Sequence, residues 1–264
     1  MQSPLRHGKA AIGTTLATGA IAAISQAPDR ASRLLRNRYP TVAVTGMTGV
    51  GKTRLADRLA RRASAESGEA GAHEVGSAVM ERRTRRKARL RGYRFRVVPG
   101  ENAATRLGAL DEVFHDEPVD GVLHVVANGH ATPRRRGGTS GAAAASREEQ
   151  LAAELEDWSI TAHRIAGMAV RRDRPTWLIV AVTKADLFAD DVDAAVHYYS
   201  PGSGSPFGDK LDELRALAGG AKLSIDVLPV CARGGSKKSA MPEKACTDLL
   251  GRLELRMAQL SGHI

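Results

Sequence analysis

Cysteine is nearly absent from this chain. Its 264 residues hold two, Cys231 and Cys246. They lack the spacing of a metal site and are too few for a disulfide framework. The eight His are scattered. A reducing, cytoplasmic setting is the expectation. Aromatic residues make up only 4%, which leaves little for a base-stacking surface and makes nucleic acid a poorly supported partner. A clear membrane span is also missing. The best stretch, AAIGTTLATGAIAAI at residues 10–24, is broken by Thr and Gly and falls short of the ~20 apolar residues a span needs. It reads as a docking or amphipathic helix, with membrane association and disorder as the alternatives. The domain of intracellular character that follows argues against a signal peptide. There is no internal repeat. Acids are absent from residues 82–96, RRTRRKARLRGYRFR, which carry nine Arg or Lys and much of the net charge of +10. Such a segment is either solvated surface or a face for an acidic partner, an anionic membrane or nucleic acid.

What is present suits a globular α/β domain. Apolar content is 42%, and the length allows one large core. Residues 1–38 read as an N-terminal helical extension and basic linker, and 39–264 as the main domain. An exposed insert is expected near 132–146, where TPRRRGGTSGAAAAS lacks large apolar residues. Apolar runs at 41–45, 121–127, 176–182 and 225–231 read as buried strands. ARLRG and YRFRVV, residues 88–98 broken at Gly92, read as two strands joined by a turn. Helices are expected over 52–65, 103–114, 148–170, 209–218 and 240–260. Alternation of this kind predicts a mostly parallel sheet with helices on both faces.

One motif stands out. GMTGVGKT, residues 46–53, fits G-x-x-x-x-G-K-[ST], with a strand before it and a helix after it. The backbone N–H groups of Gly46, Thr48, Gly49, Val50 and Gly51 are placed to surround phosphates, and the helix N-terminus adds a positive end. Lys52 would reach the β and γ phosphates. The Thr53 hydroxyl would sit on Mg²⁺.

A second motif chooses the base. TKAD, Thr183 to Asp186, follows TWLIVAV. A carboxylate there can accept the N1–H and 2-amino group of guanine, and adenine offers no such pair. The stem of Lys184 can pack over the purine. Together these residues resemble the Ras-like superfamily of P-loop GTPases, in particular its prokaryotic translation-factor-related and Era-like members, over roughly 41–233. The resemblance implies a three-layer P-loop GTPase fold, GTP and GDP as ligands, and Asp186 as guanine reader through [NT]-K-x-D. It also implies a base-contacting loop at Cys231-Ala232-Arg233, in the place of the family's S-A-K.

One family feature is altered. The resemblance places D-x-x-G, whose Asp holds a Mg²⁺-bound water, at Val97-Val98-Pro99-Gly100. Gly100 keeps an amide for the γ phosphate, but Val97 cannot coordinate water or metal. Either Mg²⁺ is held by Thr53, phosphates and waters, or another acid such as Glu101 or Glu81 substitutes, or hydrolysis is poor. Glu101 follows Gly100 where many family members orient the attacking water. It would position water, repel the γ phosphate or face solvent. Thr84 is the candidate first-switch metal ligand, with a surface Thr as the bland reading. Arg82, Arg83 or Arg85 would neutralise γ-phosphate charge in cis or form an effector surface. His124, Trp158 and Trp177 read as packing residues, and Asn128-Gly129-His130 as a turn at the nucleotide edge. The function expected is a GTP-binding switch that slowly hydrolyses GTP and answers to a protein effector. The alternative is a catalytically weak nucleotide-sensing scaffold that recruits its effector through the basic segment.

Overall fold

Among the described residues, six strands and six α-helices, connected mostly in alternation, form a three-layer domain in a computed structural model. It describes residues 39–65, 79–83, 92–100, 103–132, 145–232 and 240–262. The strands are β1 (Thr41–Thr45), β2 (Met80–Arg83), β3 (Arg94–Val97), β4 (Gly121–Val126), β5 (Thr176–Val182) and β6 (Leu223–Pro229). The helices are α1 (Lys52–Ala65), α2 (Ala103–Asp111), α3 (Arg147–Arg171), α4 (Val192–Tyr198), α5 (Pro206–Ala218) and α6 (Glu243–Leu260). A π turn, Glu112–Asp116, continues α2. The sheet order is β2-β3-β1-β4-β5-β6, and every pairing is parallel except β2 with β3. Pro40–Ile264 is one compact unit.

The period-2 geometry of a strand sends alternate side chains to opposite faces. Apolar residues on both faces therefore demand a helix layer on each. Val42 and Val44 of β1, with Trp177, Ile179 and Ala181 of β5, pack with Leu55, Ala56 and Leu59 of α1 and Leu250, Leu253 and Met257 of α6. Ala43, Val122, Val126, Leu178, Val180 and Val182 face the other way, into a cluster with residues from α2, α3, α4 and α5. The anticipated helix over 52–65 and strand over 176–182 match in both bounds. Helix α4 was not anticipated. It has seven residues and opens among the three Asp of ADDVD, too short for a helical period to register.

The expected hairpin within 88–98 needs correction. Its second half forms β3, whose antiparallel partner is Met80–Arg83, with Glu81 opposite Arg96 and Arg83 opposite Arg94, while residues 88–91 lie outside the described residues. The reason is charge. Glu81 pairs with Arg94 and lies 3.9 Å from Arg96, whereas ARLRG has no acid to set against an arginine-rich strand. Glu81, a candidate substitute for the missing acid, is thus engaged by guanidinium groups. Arg96 is 2% exposed and also meets Glu112 at 2.5 Å and Glu117 at 3.2 Å. The expectations for residues 1–38, for most of the insert near 132–146, and for Thr84, Arg85, Glu101 and Arg233 lie outside the described residues.

His124 is the packing residue it was expected to be. It is buried beside Trp158, ring centroids 4.7 Å apart, and its Nδ1 lies 3.0 Å from Thr45 Oγ1. Burial first, then the positive charges of Arg106 and Lys52, hold its pKa at about 3, down from 6.5. The unfolded chain therefore binds more protons between these values. Stability from this group is complete above pH 6.5 and is lost as pH falls towards 3, by about 1.4 kcal/mol per pH unit. Urea unfolding at stepped pH should show this acid loss, and His124→Gln should reduce its slope by about one proton.

Candidate functional site

The strand order reverses beside β1. The chain leaves β1 for β3 on one side, then crosses to β4 on the other. In open α/β sheets the crevice at the carboxyl ends of such strands is where ligands bind. The loop Gly46–Thr53 emerges there, directly from β1 into α1. Lys52 is 7% exposed, and its Nζ donates to the carbonyls of Gly46 at 2.6 Å and Met47 at 2.8 Å. Its ammonium is folded into the loop that it would share with a phosphate. Thr48 Oγ1 is buried with no hydrogen-bond partner among the described residues. Such an atom costs free energy until something pairs with it, and an anion cradled by the loop would do so.

TKAD is wired to this loop. Thr183 Oγ1 donates towards Val50 O at 2.6 Å and Val126 O at 2.9 Å, which ties the ends of β4 and β5 to the Gly46–Thr53 loop. Lys184 has φ 61, a left-handed conformation costing about 1–2 kcal/mol for an ordinary residue. Its Nζ donates to Gly49 O (2.9 Å), His130 O (2.6 Å) and Thr132 Oγ1 (2.7 Å). Asp186, 5% exposed, accepts a hydrogen bond from the thiol of Cys231 at 3.3 Å. Ala232 is half-buried just beyond. The structure thus gathers Gly46–Thr53, Thr183, Lys184, Asp186, Cys231 and Ala232 at one edge of the sheet.

The Asn128-Gly129-His130 turn forms a third wall. Asn128 and Gly129 have φ 51 and 73 and bend the chain back so that Thr132 N donates to Gly49 O at 3.1 Å. Thr132 O fills the space where a side chain on Gly49 (φ 83) would lie, so this position requires glycine. The turn hangs from Glu154 of α3. Glu154 accepts from Ala127 N at 2.9 Å and from the Tyr199 hydroxyl. Burial raises the Glu154 pKa against these donors. Three residues on, Asp157 pairs with Arg106 of α2 at 2.6 Å, and burial raises its pKa to about 6. Glu154, Asp157 and Arg106 were missed. The one available signal was a pair of acids three apart beside Trp158 in ELEDW, and charges on a helix ordinarily face water.

Val97 and Gly100 complete the crevice. Val97 is 3% exposed and belongs to the apolar cluster under α1. Gly100 lies against the loop: a Cβ there would stand 2.6 Å from Lys52 Nζ and 2.7 Å from Thr48 N. Val97→Asp should cost about 3 kcal/mol or more in denaturant unfolding, since the carboxylate enters an apolar cluster. A loss under 1 kcal/mol would mean that the cluster holds a polar pocket at this strand end.

No family model and no curated protein sequence matches the chain. Among solved structures it is similar to bacterial selenocysteine-specific elongation factor EF-Sec, with TM-score 0.45, 13% identity, and coverage of 86% of this chain and 29% of that one. It is also similar to an ADP-ribosylation-factor-like GTP-binding protein (small COPII coat GTPase SAR1) from Encephalitozoon cuniculi in complex with GDP. There the TM-score is 0.42 and identity 12%, covering 95% and 98% of the two chains. The G domain of the T. maritima FeoB iron transporter gives TM-score 0.38 and 16% identity over 81% and 98%. These likenesses concern the fold alone. The chain spans 29% of the elongation factor's length. Among the described residues no helix is long and apolar enough to cross a membrane.

Proposed function

We propose that this protein is a guanine-nucleotide-binding switch that slowly hydrolyses GTP to GDP and phosphate. The observation carrying this reading is the wiring of TKAD to the phosphate loop. Thr183 and Lys184 bond to the carbonyls of Val50 and Gly49, while Asp186 is left with Cys231 at the base end. One rigid frame then holds both ends of a nucleotide. Hydrolysis would break the bond from the γ phosphorus to its bridging oxygen as water adds. Lys52 and the loop amides would meet the charge developing on the phosphate oxygens.

The fit to Mg²⁺ is partial. Thr53, in the first turn of α1 and half-buried, supplies a hydroxyl. Val97 supplies nothing, and no group of three His, Cys, Asp or Glu stands together among the described residues. Mg²⁺ would be held by Thr53, phosphate oxygens and water, and it would neutralise charge between the β and γ phosphates. Thr84 and Glu101 are the further residues proposed to contribute, as metal ligand and water-orienting group, with Arg233 beside the base. A weak metal site also favours a second reading, a nucleotide-sensing scaffold without useful turnover. It would recruit an acidic protein effector through the basic segment 82–96.

Single-turnover assays with radiolabelled GTP and Mg²⁺, on the full chain and on Glu101→Ala, separate the two. The switch reading expects a rate of about 10⁻⁴ to 10⁻² s⁻¹, the range of unassisted GTPases. Tight GTP binding with no phosphate released above background leaves the scaffold. Competition by ATP as strong as by GTP would sink both.

A further inference from the structure

Three successive amides of the turn after β4 end on one buried pair of side chains. Ala127 N donates to Glu154 Oε1 at 2.9 Å. The Gly129 amide bonds the same carboxylate. The Asn128 amide bonds the Tyr199 hydroxyl, which itself donates to Glu154 Oε2. Glu154, in the second turn of α3, and Tyr199, next after α4, are both buried. Two oxygens farther along the turn serve Lys184. His130 O and Thr132 Oγ1 accept from its Nζ at 2.6 and 2.7 Å. The third acceptor, Gly49 O at 2.9 Å, is itself bonded by Thr132 N. Two of these three oxygens around the ammonium thus belong to the turn that Glu154 holds. Asn128 and Lys184 are also the two non-glycine residues with positive φ among the described residues. Strain of this kind persists where surrounding bonds over-determine the backbone, and it gathers at ligand clamps.

We propose that Glu154 is a positioning residue for guanine nucleotide: through the 127–132 turn it fixes the ammonium of Lys184, and so raises affinity at the base end of the site. This rests on the guanine-nucleotide reading given above. A carboxylate is costly to bury. What it adds here over an apolar side chain is acceptors for main-chain donors that would otherwise be orphaned. With the turn fixed, two acceptors stand at hydrogen-bond distance for a side chain that is otherwise among the most mobile. The conformational entropy of Lys184 is then lost in folding rather than in binding, and its stem is already placed for the purine. Without the Glu154 carboxylate the turn loosens, and the nucleotide must order Lys184 itself. The effect falls on the base end, so diphosphate and triphosphate share it.

The test measures GDP and GTPγS affinities by competition against a fluorescent GDP, in Mg²⁺ buffer, on the full chain. Glu154→Gln keeps the volume but sets an NH₂ group among the donors of the turn. It should weaken both nucleotides about tenfold and leave their ratio unchanged. Lys184→Met keeps an apolar stem without the ammonium and should also cost about tenfold. Added to Lys184→Met, Glu154→Gln should cost less than threefold more, because both act through one ammonium. A general loss of stability gives no such coupling and would repeat its full effect in either background. Tyr199→Phe removes only the hydroxyl. It should weaken both nucleotides two- to threefold, with no further loss in the Lys184→Met background, and it keeps the test readable if Glu154→Gln fails to fold. Unmoved affinities in the single variants, or a further loss of threefold or more when Glu154→Gln is added to Lys184→Met, overturn the positioning role while the parent reading stands. A wild-type chain that binds neither nucleotide overturns both.

Discussion

Lys52→Ala should lower the affinity for GDP and GTP at least a hundredfold, to about the limit of a fluorescent-nucleotide titration. Lys52 sits at the first position of α1, where the unpaired N–H groups of the helix already favour an anion. Its ammonium is held within the loop by Gly46 O and Met47 O, so little side-chain entropy remains to be lost when a phosphate arrives. A hydrogen bond to a charged group contributes about 1.5–3 kcal/mol. Two of them, to the β and γ oxygens, account for two to four decades. The same change should also cost the free protein about 1–3 kcal/mol, because the carbonyl of Gly46, a buried residue, loses the Lys52 donor. Lys52→Arg should fail nearly as badly, since a planar fork cannot occupy a cage shaped for a point charge. Unchanged GDP affinity in Lys52→Ala, with the fold intact by circular dichroism, would remove the phosphate loop from the function altogether.

The parts of this site that were legible in the sequence are those where chemistry is local. Gly46–Thr53 is one contiguous loop, and its neighbours β1 and α1 follow from five and fourteen residues of plain pattern. TKAD announces itself because it ends a fully buried strand. What stayed hidden is made of pairings across long separations. Glu154 is 27 residues from Ala127 and 45 from Tyr199, and Arg106 is 51 from Asp157. A charged residue in a helix looks solvated until its partner is known. The π turn after α2 and the short α4 carry no period long enough to read. Strand β2 was misplaced because its selection depends on Glu81 finding Arg94 and Arg96, a tertiary choice among arginine-rich segments.

Val97 and Gly100 illustrate the two kinds of information together. That Val97 stands where the resemblance expects an acid is visible as a letter, and packing explains why a valine suits the place: the side chain is 3% exposed in the cluster under α1. The close approach of Gly100 to Lys52 and Thr48 is a fact of tertiary structure. A glycine at this position lets the backbone lie close against the Gly46–Thr53 loop.

Asp186→Ala should erase the preference between purines. In competition titrations GTP affinity should fall by about two to four decades, with ATP affinity almost unmoved, so that the two converge. The carboxylate is fixed before any ligand arrives. It follows β5 within a single tight turn and is 5% exposed, and the Cys231 thiol donates to Oδ1 at 3.3 Å. A thiol is a weak donor, so it orients the group without consuming its capacity to accept two N–H bonds from guanine. Each of those bonds is charge-assisted, and each contributes about 1.5–3 kcal/mol. Adenine offers no matching pair, so ATP leaves a buried anion unmet, and discrimination of this type can reach 10⁴ or more. Asp186→Asn sharpens the test. Its amide keeps one acceptor but presents a donor where guanine also donates, so GTP affinity should still drop about a hundredfold. Cys231→Ser, which keeps a donor in place, should leave GTP binding within about threefold. Parallel losses for GTP and ATP in Asp186→Ala would mean that this carboxylate supports the loop rather than reads the base. In that case the bond from Cys231 would be its main purpose, and the case for guanine would fall back on Lys184 alone, which cannot tell one purine from another.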